Sequence, residues 1–303
     1  MEINLREANL FQIAEGISRG DGITYLIGEG AGNELLKWKL MGKIYPLGDL
    51  EDEECPLVLK VKDSKDRICA LKLFKFREKD YEHLTDDFTT AARFSGFKYI
   101  VLNYQAKLYE NNNLAYILME YFETDLEKAL YKNVLTPADK IEITMKISEA
   151  LKYIHENEAI HNDIKPGNIF LKKEKNNWVP VIGDFGRYKI GTALFSHPQK
   201  LERLESIREG KPQPLADMQK WDLFSMGLVF YFIMMGRLPE SWDLYISKYL
   251  KANKIFGYML KEEELEVFRQ VLLGIFKKAR IDSPKSASWE MALLVRELLT
   301  YEC

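Results

Sequence analysis

Up to about residue 122 the chain reads as short β-rich runs, and beyond it as long helical ones, so a single-layer or all-helical fold is excluded. The early runs are ITYLIGEG, ELLKWKL, PLVLKVKD and RICALKLFKF, punctuated by Gly, Pro and acidic turns. A helical stretch near 79–94 interrupts them. Strands follow at IVLNYQAKLY and LAYILMEY, with ENNNL between them reading as a hairpin turn. In TPADKIEITMKISEALKYIHE, Thr136 reads as an N-cap and Pro137 as the first helical residue, ahead of apolar residues at helical spacing. Short strands flank the segments AIHNDIKPGNIFL and VIGDFG, and helices dominate from 219 onward. The pattern predicts an α+β chain: an N-terminal extension at 1–20, a small sheet lobe at 21–122 and a larger, mainly helical lobe at 123–303. In the extension, Leu5, Leu10, Ile13 and Ile17 fall close to one helical face. They predict a helix packed on the small lobe, with a partner-binding arm as the alternative.

Composition narrows the function. Acids outnumber bases by 46 to 43, which gives no nucleic-acid footprint. Cys55, Cys69 and Cys303 are too few and too scattered for a disulfide framework or a zinc site. They fit a reducing, cytoplasmic setting. The start, MEINLREANL, lacks the basic and apolar regions of a signal peptide. The longest apolar run, MGLVFYFIMMG, falls short of the ~20 residues that cross a bilayer. It predicts a buried core helix, and no membrane partner is expected.

The chemistry concentrates in AIHNDIKPGNIFL, residues 159–171. A carboxylate such as Asp163 can orient a nucleophile and accept its proton late in a transfer. Lys165, two residues on, can neutralise a transferring phosphoryl group. Asn168 offers an amide oxygen, a hard ligand suited to Mg2+. Sixteen residues beyond Asn168 comes Asp184, a second hard oxygen ligand on a Gly-flanked turn. Together these residues make a metal–phosphate site.

HNDIKPGNIFL followed by GDFG resembles the catalytic loop and metal-binding turn of the eukaryotic-type protein kinases. The resemblance runs from about residue 20 to 297. It implies a two-lobed fold with an antiparallel sheet lobe, and ATP with Mg2+ (or Mn2+) as cofactors. Asp163 and Lys165 would be catalytic, and Asn168 and Asp184 would hold metal. CALKLF is similar to the third-strand motif, which makes Lys72 the phosphate-binding lysine and Ala70 an adenine neighbour. YILMEYFETDLEKAL resembles the strand and hinge between lobes, with Met119 behind the adenine and Glu120 to Phe122 as the hinge. WDLFSMGLVFYFIMMGRLP resembles the central helix of the large lobe, whose Asp222 would hold the catalytic loop from beneath. Lys165 and DLFSMG separate the chain from small-molecule kinases of the choline and aminoglycoside type, and Lys165 is similar to the Ser/Thr-specific branch.

Two features of the small lobe stay open. Gly28, Gly30 and Gly32 in YLIGEGAGNELLKWKL would let backbone N–H groups approach phosphates, with Leu35 capping the adenine. Gly28, however, lies 44 residues before Lys72, about twice the family's usual gap, which requires an insertion near 41–60. The alternative, PLGDLEDEECP, has nearer the usual spacing, but its five acids would repel a triphosphate by about 1 kcal/mol or more each. The Gly-rich choice is preferred on that ground. The acid to pair with Lys72 comes from Glu82, Asp86 or Asp87, and counting back from the next strand favours Asp87.

The large lobe departs from the family in three places. Asn162 stands where many members carry an Arg that pairs with a phosphate on the activation segment. FSHPQ stands where the family usually has Ala-Pro-Glu, so Gln199 replaces a Glu that forms a buried ion pair. Its Arg partner would align with Ser286, with Arg280 nearby. Losing one partner alone would strand a buried charge at a cost of about 3–5 kcal/mol, and losing both avoids that. The reading is an ATP- and Mg2+-dependent Ser/Thr protein kinase acting on a protein substrate, active without phosphate on Tyr188, Thr192 or Ser196. The activation segment, from Asp184 to Gln199, is short for the family, and an activating or regulatory protein partner is compatible with it. The alternative is a pseudokinase, the same fold used as a binding or scaffold module.

Overall fold

The computed structural model describes residues 1–19, 22–30, 33–45, 56–76, 81–185, 193–209, 211–252, 258–281 and 284–301. The chain divides into two compact units, Met1–Phe97 with Val101–Phe122, and Lys98–Ile100 with Glu123–Cys303.

The first unit contains β1 (Glu2–Asn4), α1 (Leu10–Arg19), β2 (Tyr25–Glu29), β3 (Leu35–Tyr45), β4 (Leu57–Lys62), β5 (Ile68–Lys75), α2 (Tyr81–Phe94), β6 (Asn103–Tyr109) and β7 (Leu114–Glu120). The strands form one sheet in the order β1-β2-β3-β4-β5-β7-β6. All pairings are antiparallel except β1 with β2, which is parallel. The sheet curls. Tyr109 on β6 and Tyr116 on β7 reach the main chain of Glu29 on β2: Glu29 N donates to the Tyr109 hydroxyl at 2.7 Å, and the Tyr116 hydroxyl donates to Glu29 O at 2.6 Å. The concave side is filled by Leu26, Trp38, Leu59, Leu71, Leu73 and Tyr116, among others. Each such buried side chain contributes about 1.5–3 kcal/mol.

Residues 1–19 belong to this core, but not as one helix. The helix starts at Leu10. Ile3 and Leu5 alternate as strand residues do, and Leu5 N continues the ladder onto Ile27 O at 2.8 Å. Ile3, Leu5, Ile13 and Ala14 are buried together, with Leu10 and Ile17 packed against them. Leu5, Leu10, Ile13 and Ile17 thus reach one core from two segments, Leu5 just after β1 and the other three on α1.

The second unit contains β8 (Thr124–Asp125), α3 (Leu126–Tyr131), α4 (Pro137–Glu156), β9 (Ile169–Glu174), β10 (Asn177–Ile182), α5 (Pro198–Glu202), α6 (Leu204–Arg208), α7 (Leu215–Met235), α8 (Glu240–Ala252), α9 (Glu262–Lys278) and α10 (Pro284–Leu298). A small sheet in the order β10-β9-β8 lies beside α4. At the start of α4, Thr136 and Asp139 form a reciprocal capping box with Pro137 inside the first turn. The apolar helix α7 is buried along most of its length, from Trp221 to Met234, as an all-round apolar helix must be. Gly236 ends it at φ 75°. Among the described residues, no helix is long and apolar enough to cross a membrane.

Candidate active site

In the first unit, strand register sorts the candidate residues by face. Residues directly opposite each other across a ladder share a face. Ala70 faces Met119 and Lys72 faces Ile117 across β5 and β7. Cys69, Leu71 and Leu73 point the other way, into the curled core. Ala70, Lys72 and Met119 therefore lie together on the face away from that core, all three buried. Helix α2 packs on the same face, since its Phe88 meets Phe74, two residues after Lys72, edge-on at 5.8 Å. Asp87 lies in α2 just before Phe88, but its side chain is outside the described residues, as are those of Glu82 and Asp86. At the end of β7, Glu120 N donates to Leu102 O at 2.9 Å, with Phe122 two residues on.

The glycine turn is occupied by packing. Gly28 and Gly30 are buried. A Cβ on Gly28 would sit 2.6 Å from the Trp38 ring and 3.3 Å from the Tyr109 hydroxyl, and one on Gly30 would meet the Glu34 and Gln105 side chains. Leu35, proposed to cap adenine, is 79% exposed. The sheet order adds a second point: β5, which carries Lys72, lies between β4 and β7, and β4 pairs with β3, whereas the turn after Gly28 and Glu29 joins β2 to β3, one strand farther out. The connection from β3 to β4 is the acidic stretch preferred against in the sequence analysis. Its residues 46–55 lie outside the described residues, as does Gly32. The local reason is that a buried hairpin crossing a Trp needs glycine as much as a phosphate turn does.

In the second unit the loop between α4 and β9 is built on buried polar contacts. Asp222 on α7, 1% exposed, accepts hydrogen bonds from His161 N and Asn162 N, both at 2.7 Å, and from His155 Nε2 at 3.0 Å. It holds the loop from beneath, as the resemblance implies. Asn162 at φ 66° and Asp184 at φ 64° are both left-handed. Asn and Asp tolerate that region better than other residues with side chains. His161 Nε2 donates to Gly183 O at 3.0 Å, which leaves Nδ1 to accept from Asp163 N at 3.3 Å. Burial holds the imidazole below its ordinary pKa, consistent with this neutral tautomer. Its ring lies 4.7 Å from that of Phe185.

The three loop residues meet at one carboxylate. Asn168 Nδ2 donates to Asp163 O and Oδ2, both at 2.8 Å, and Lys165 Nζ lies 3.0 Å from the same Oδ2. With its NH2 turned to Asp163, Asn168 presents its amide oxygen on the opposite edge. Its own main-chain oxygen accepts from Gly183 N at 3.0 Å, which ties it to the turn carrying Asp184. An amide oxygen and a carboxylate are the right donor chemistry for Mg2+, which takes few protein ligands and completes its shell with water and phosphate. Among the described residues, no group of three or more His, Cys, Asp or Glu could hold a metal without such help.

The segment end at 193–200 is bolted down without an ion pair at Gln199. Gln199 Oε1 accepts from Trp221 Nε1 at 2.9 Å, Trp242 Nε1 donates to Leu194 O at 2.7 Å, and the Ser225 hydroxyl donates to Phe195 O. Ser286, expected to stand in the place of the family's Arg, is an exposed residue whose hydroxyl donates to Glu290 at 2.6 Å. Ser196, the expected phosphate acceptor nearest the segment end, is buried at 3% exposure. Tyr188 and Thr192 lie outside the described residues. One group the sequence analysis passed over stands out: Lys200, also 3% exposed, donates to Asn162 O at 2.6 Å. Its only sequence signal is its place just after Pro198-Gln199.

Comparison with known proteins bears on these sites. The family described as Protein kinase domain matches residues 55–303, beginning just before β4 and leaving β1 to β3 outside. Mitogen-activated protein kinase 4 of Rattus norvegicus is 40% identical over 192 residues, 62% of this chain and 66% of that protein. Its Homo sapiens counterpart is 32% identical over 192 residues, 62% of this chain and 31% of that protein. A MAP kinase kinase of Saccharomyces cerevisiae is 28% identical over 234 residues, 71% of this chain and 39% of that protein. The chain thus spans about a third of the human relative and about two thirds of the rat one.

Proposed function

The chain belongs to the protein kinase domain family, and from that premise we propose that it transfers the γ-phosphoryl group of ATP to Ser or Thr hydroxyls of a protein substrate. The observation that carries this reading is the convergence of Lys165 and Asn168 on Asp163 Oδ2. Asp163 orients the substrate hydroxyl and ends with its proton. The substrate oxygen forms its bond to phosphorus as the bond to the β–γ bridging oxygen breaks. Lys165 offsets charge on the group in transit. Asn168 and Asp184 are the residues that would hold the divalent cation, and Lys72, with Ala70 and Met119 on its face, the nucleotide. ATP with Mg2+ supplies the phosphoryl group and most of the counter-charge when bound. For the phosphate cover, the strand order and the buried glycines favour the 46–56 connection over Gly28, Gly30 and Gly32.

Two finer points follow. The hydrogen bonds that seat 193–200 support activity without phosphate on the activation segment, and Lys165 supports Ser/Thr over Tyr. Cysteine usage suits a cytoplasmic setting, where a protein partner remains compatible with the short segment. The test is labelling of a protein mixture by the purified chain with ATP and Mg2+, read by mass spectrometry of Ser, Thr and Tyr. Asp163→Ala should lower transfer by about a thousand-fold or more while nucleotide still binds. Phosphatase treatment should leave the wild-type rate unchanged. ATP binding with no transfer by the wild type would replace this reading with the scaffold one, and phosphotyrosine as the main product would overturn the Ser/Thr assignment.

A further inference from the structure

Lys200 is a cation in the interior, and burying an ammonium costs stability unless its partners compensate. Its Nζ donates at 2.6 Å to the main-chain oxygen of Asn162. The N–H of the same residue is held by Asp222 Oδ1 at 2.7 Å. Both peptide groups of this left-handed residue are therefore gripped, one from α7 and one from α5, and the next residue is Asp163. Helix α5 is itself seated: His197 Nδ1 accepts from Gln199 N at 3.0 Å, and Gln199 Oε1 accepts from Trp221.

We propose that Lys200 is a positioning residue for phosphoryl transfer: its buried ammonium clamps the Asn162 carbonyl and so fixes the turn that presents Asp163. The segment end thereby orders the catalytic loop through a charge that needs no phosphorylation, in place of the phosphate–Arg pair that Asn162 forgoes. This rests on the kinase reading above. The charged groups facing Lys200 are Asp163 and Lys165 of the loop and Asp222 of α7. Burial outweighs the two carboxylates and brings its pKa down to about 8, so it is mostly charged at neutral pH. A lysine held at such a cost adds little to stability. An uncharged residue of similar shape removes the cost of burying a charge but leaves the Asn162 carbonyl without this donor, so the two effects oppose and the net change in stability should be small.

The experiment compares wild type, Lys200→Met and Lys200→Arg by steady-state transfer, melting and hydrogen exchange of a peptide covering 160–164. Lys200→Met should melt within roughly a few degrees of wild type, lose about ten-fold or more in kcat, and keep the KM for ATP within about two-fold. Its 160–164 amides should exchange faster. Wild-type kcat should fall as pH rises through about 8, where the ammonium loses its proton. In Lys200→Arg that fall should move up by more than about one pH unit, because the guanidinium stays charged. Wild-type kcat with unchanged exchange in Lys200→Met overturns the clamp. If Lys200→Met does not fold, the pH profiles decide, and an identical alkaline fall in wild type and Lys200→Arg overturns it. If the wild type transfers no phosphate, the kinase reading fails and exchange alone judges the clamp: faster exchange in Lys200→Met supports it, unchanged exchange removes it.

Discussion

The β2–β3 turn of the first unit and the 161–168 loop of the second are both short connections whose residues suit phosphate chemistry, and neighbours close them in different ways. At the turn the contacts crowd the main chain: Trp38 against Gly28, Glu34 and Gln105 against Gly30, and the Tyr109 and Tyr116 hydroxyls on the main chain of Glu29. At the loop they are charges and amides around a carboxylate: Asp222 beneath, Lys200 on Asn162 O, and Lys165 with Asn168 on Asp163. Glycine brings no chemistry of its own, so its meaning is set by whatever comes close to it. A buried carboxylate must be satisfied by donors, so the company it keeps marks its task.

The sharpest way to break the comparison is to remove the base of the loop. Asp222→Ala leaves the N–H groups of His161 and Asn162 buried with no acceptor from α7. The expected cost is about 3–5 kcal/mol of stability, because these are charge-assisted bonds to a sealed group. Transfer should fall further than the folded fraction does. Denaturant unfolding with a parallel rate measurement checks both. A variant as stable as wild type would mean the loop holds its shape without α7.

At the turn, Gly28→Ala should act on stability and leave nucleotide affinity alone. The new Cβ at 2.6 Å from the Trp38 ring forces the indole or the strand to shift, at about 1–3 kcal/mol. Calorimetric melting and ATP titration separate the two effects. A tenfold weaker ATP affinity at unchanged stability would return the phosphate cover to Gly28, Gly30 and Gly32 and undo the contrast between the two regions.

That Asp163, Lys165 and Asn168 would come together was legible in sequence because they lie within six residues, with the Asp-Phe-Gly turn soon after. Helix α7 and the Thr136 cap were legible for the same reason, through apolar run length and residue type. The turn was not. What burying it requires comes from Tyr109 and Tyr116, 80 and 87 positions from Glu29, and no local pattern announces that a sheet will curl. The N-terminal residues misled for a related reason, since Ile3 becomes a strand residue only by pairing with β2, and Leu5 follows it by its main-chain bond to Ile27. Lys200 lies 38 positions from the carbonyl it holds, and a lysine in a polar stretch reads as solvated until its burial is seen.

The smallest expected effect concerns Asn162 itself. At φ 66° this position penalises a long side chain by about 1–2 kcal/mol and is easy for glycine. Asn162→Gly should therefore melt close to wild type and Asn162→Arg below it. The Arg variant would also set a third cation beside Lys165 and Lys200, whose Nζ already lies on the residue's own carbonyl. Its kcat should be no higher than wild type, before or after phosphatase treatment. Transfer assays on both variants, with occupancy of Thr192 followed by mass spectrometry, decide the matter. Suppose instead that Asn162→Arg were as stable as wild type and faster once Thr192 carried phosphate. The loop would then accept the phosphate–Arg pairing of its relatives. The Lys200 ammonium from α5 would not be what orders it, and the loop would owe its shape to the segment's modification.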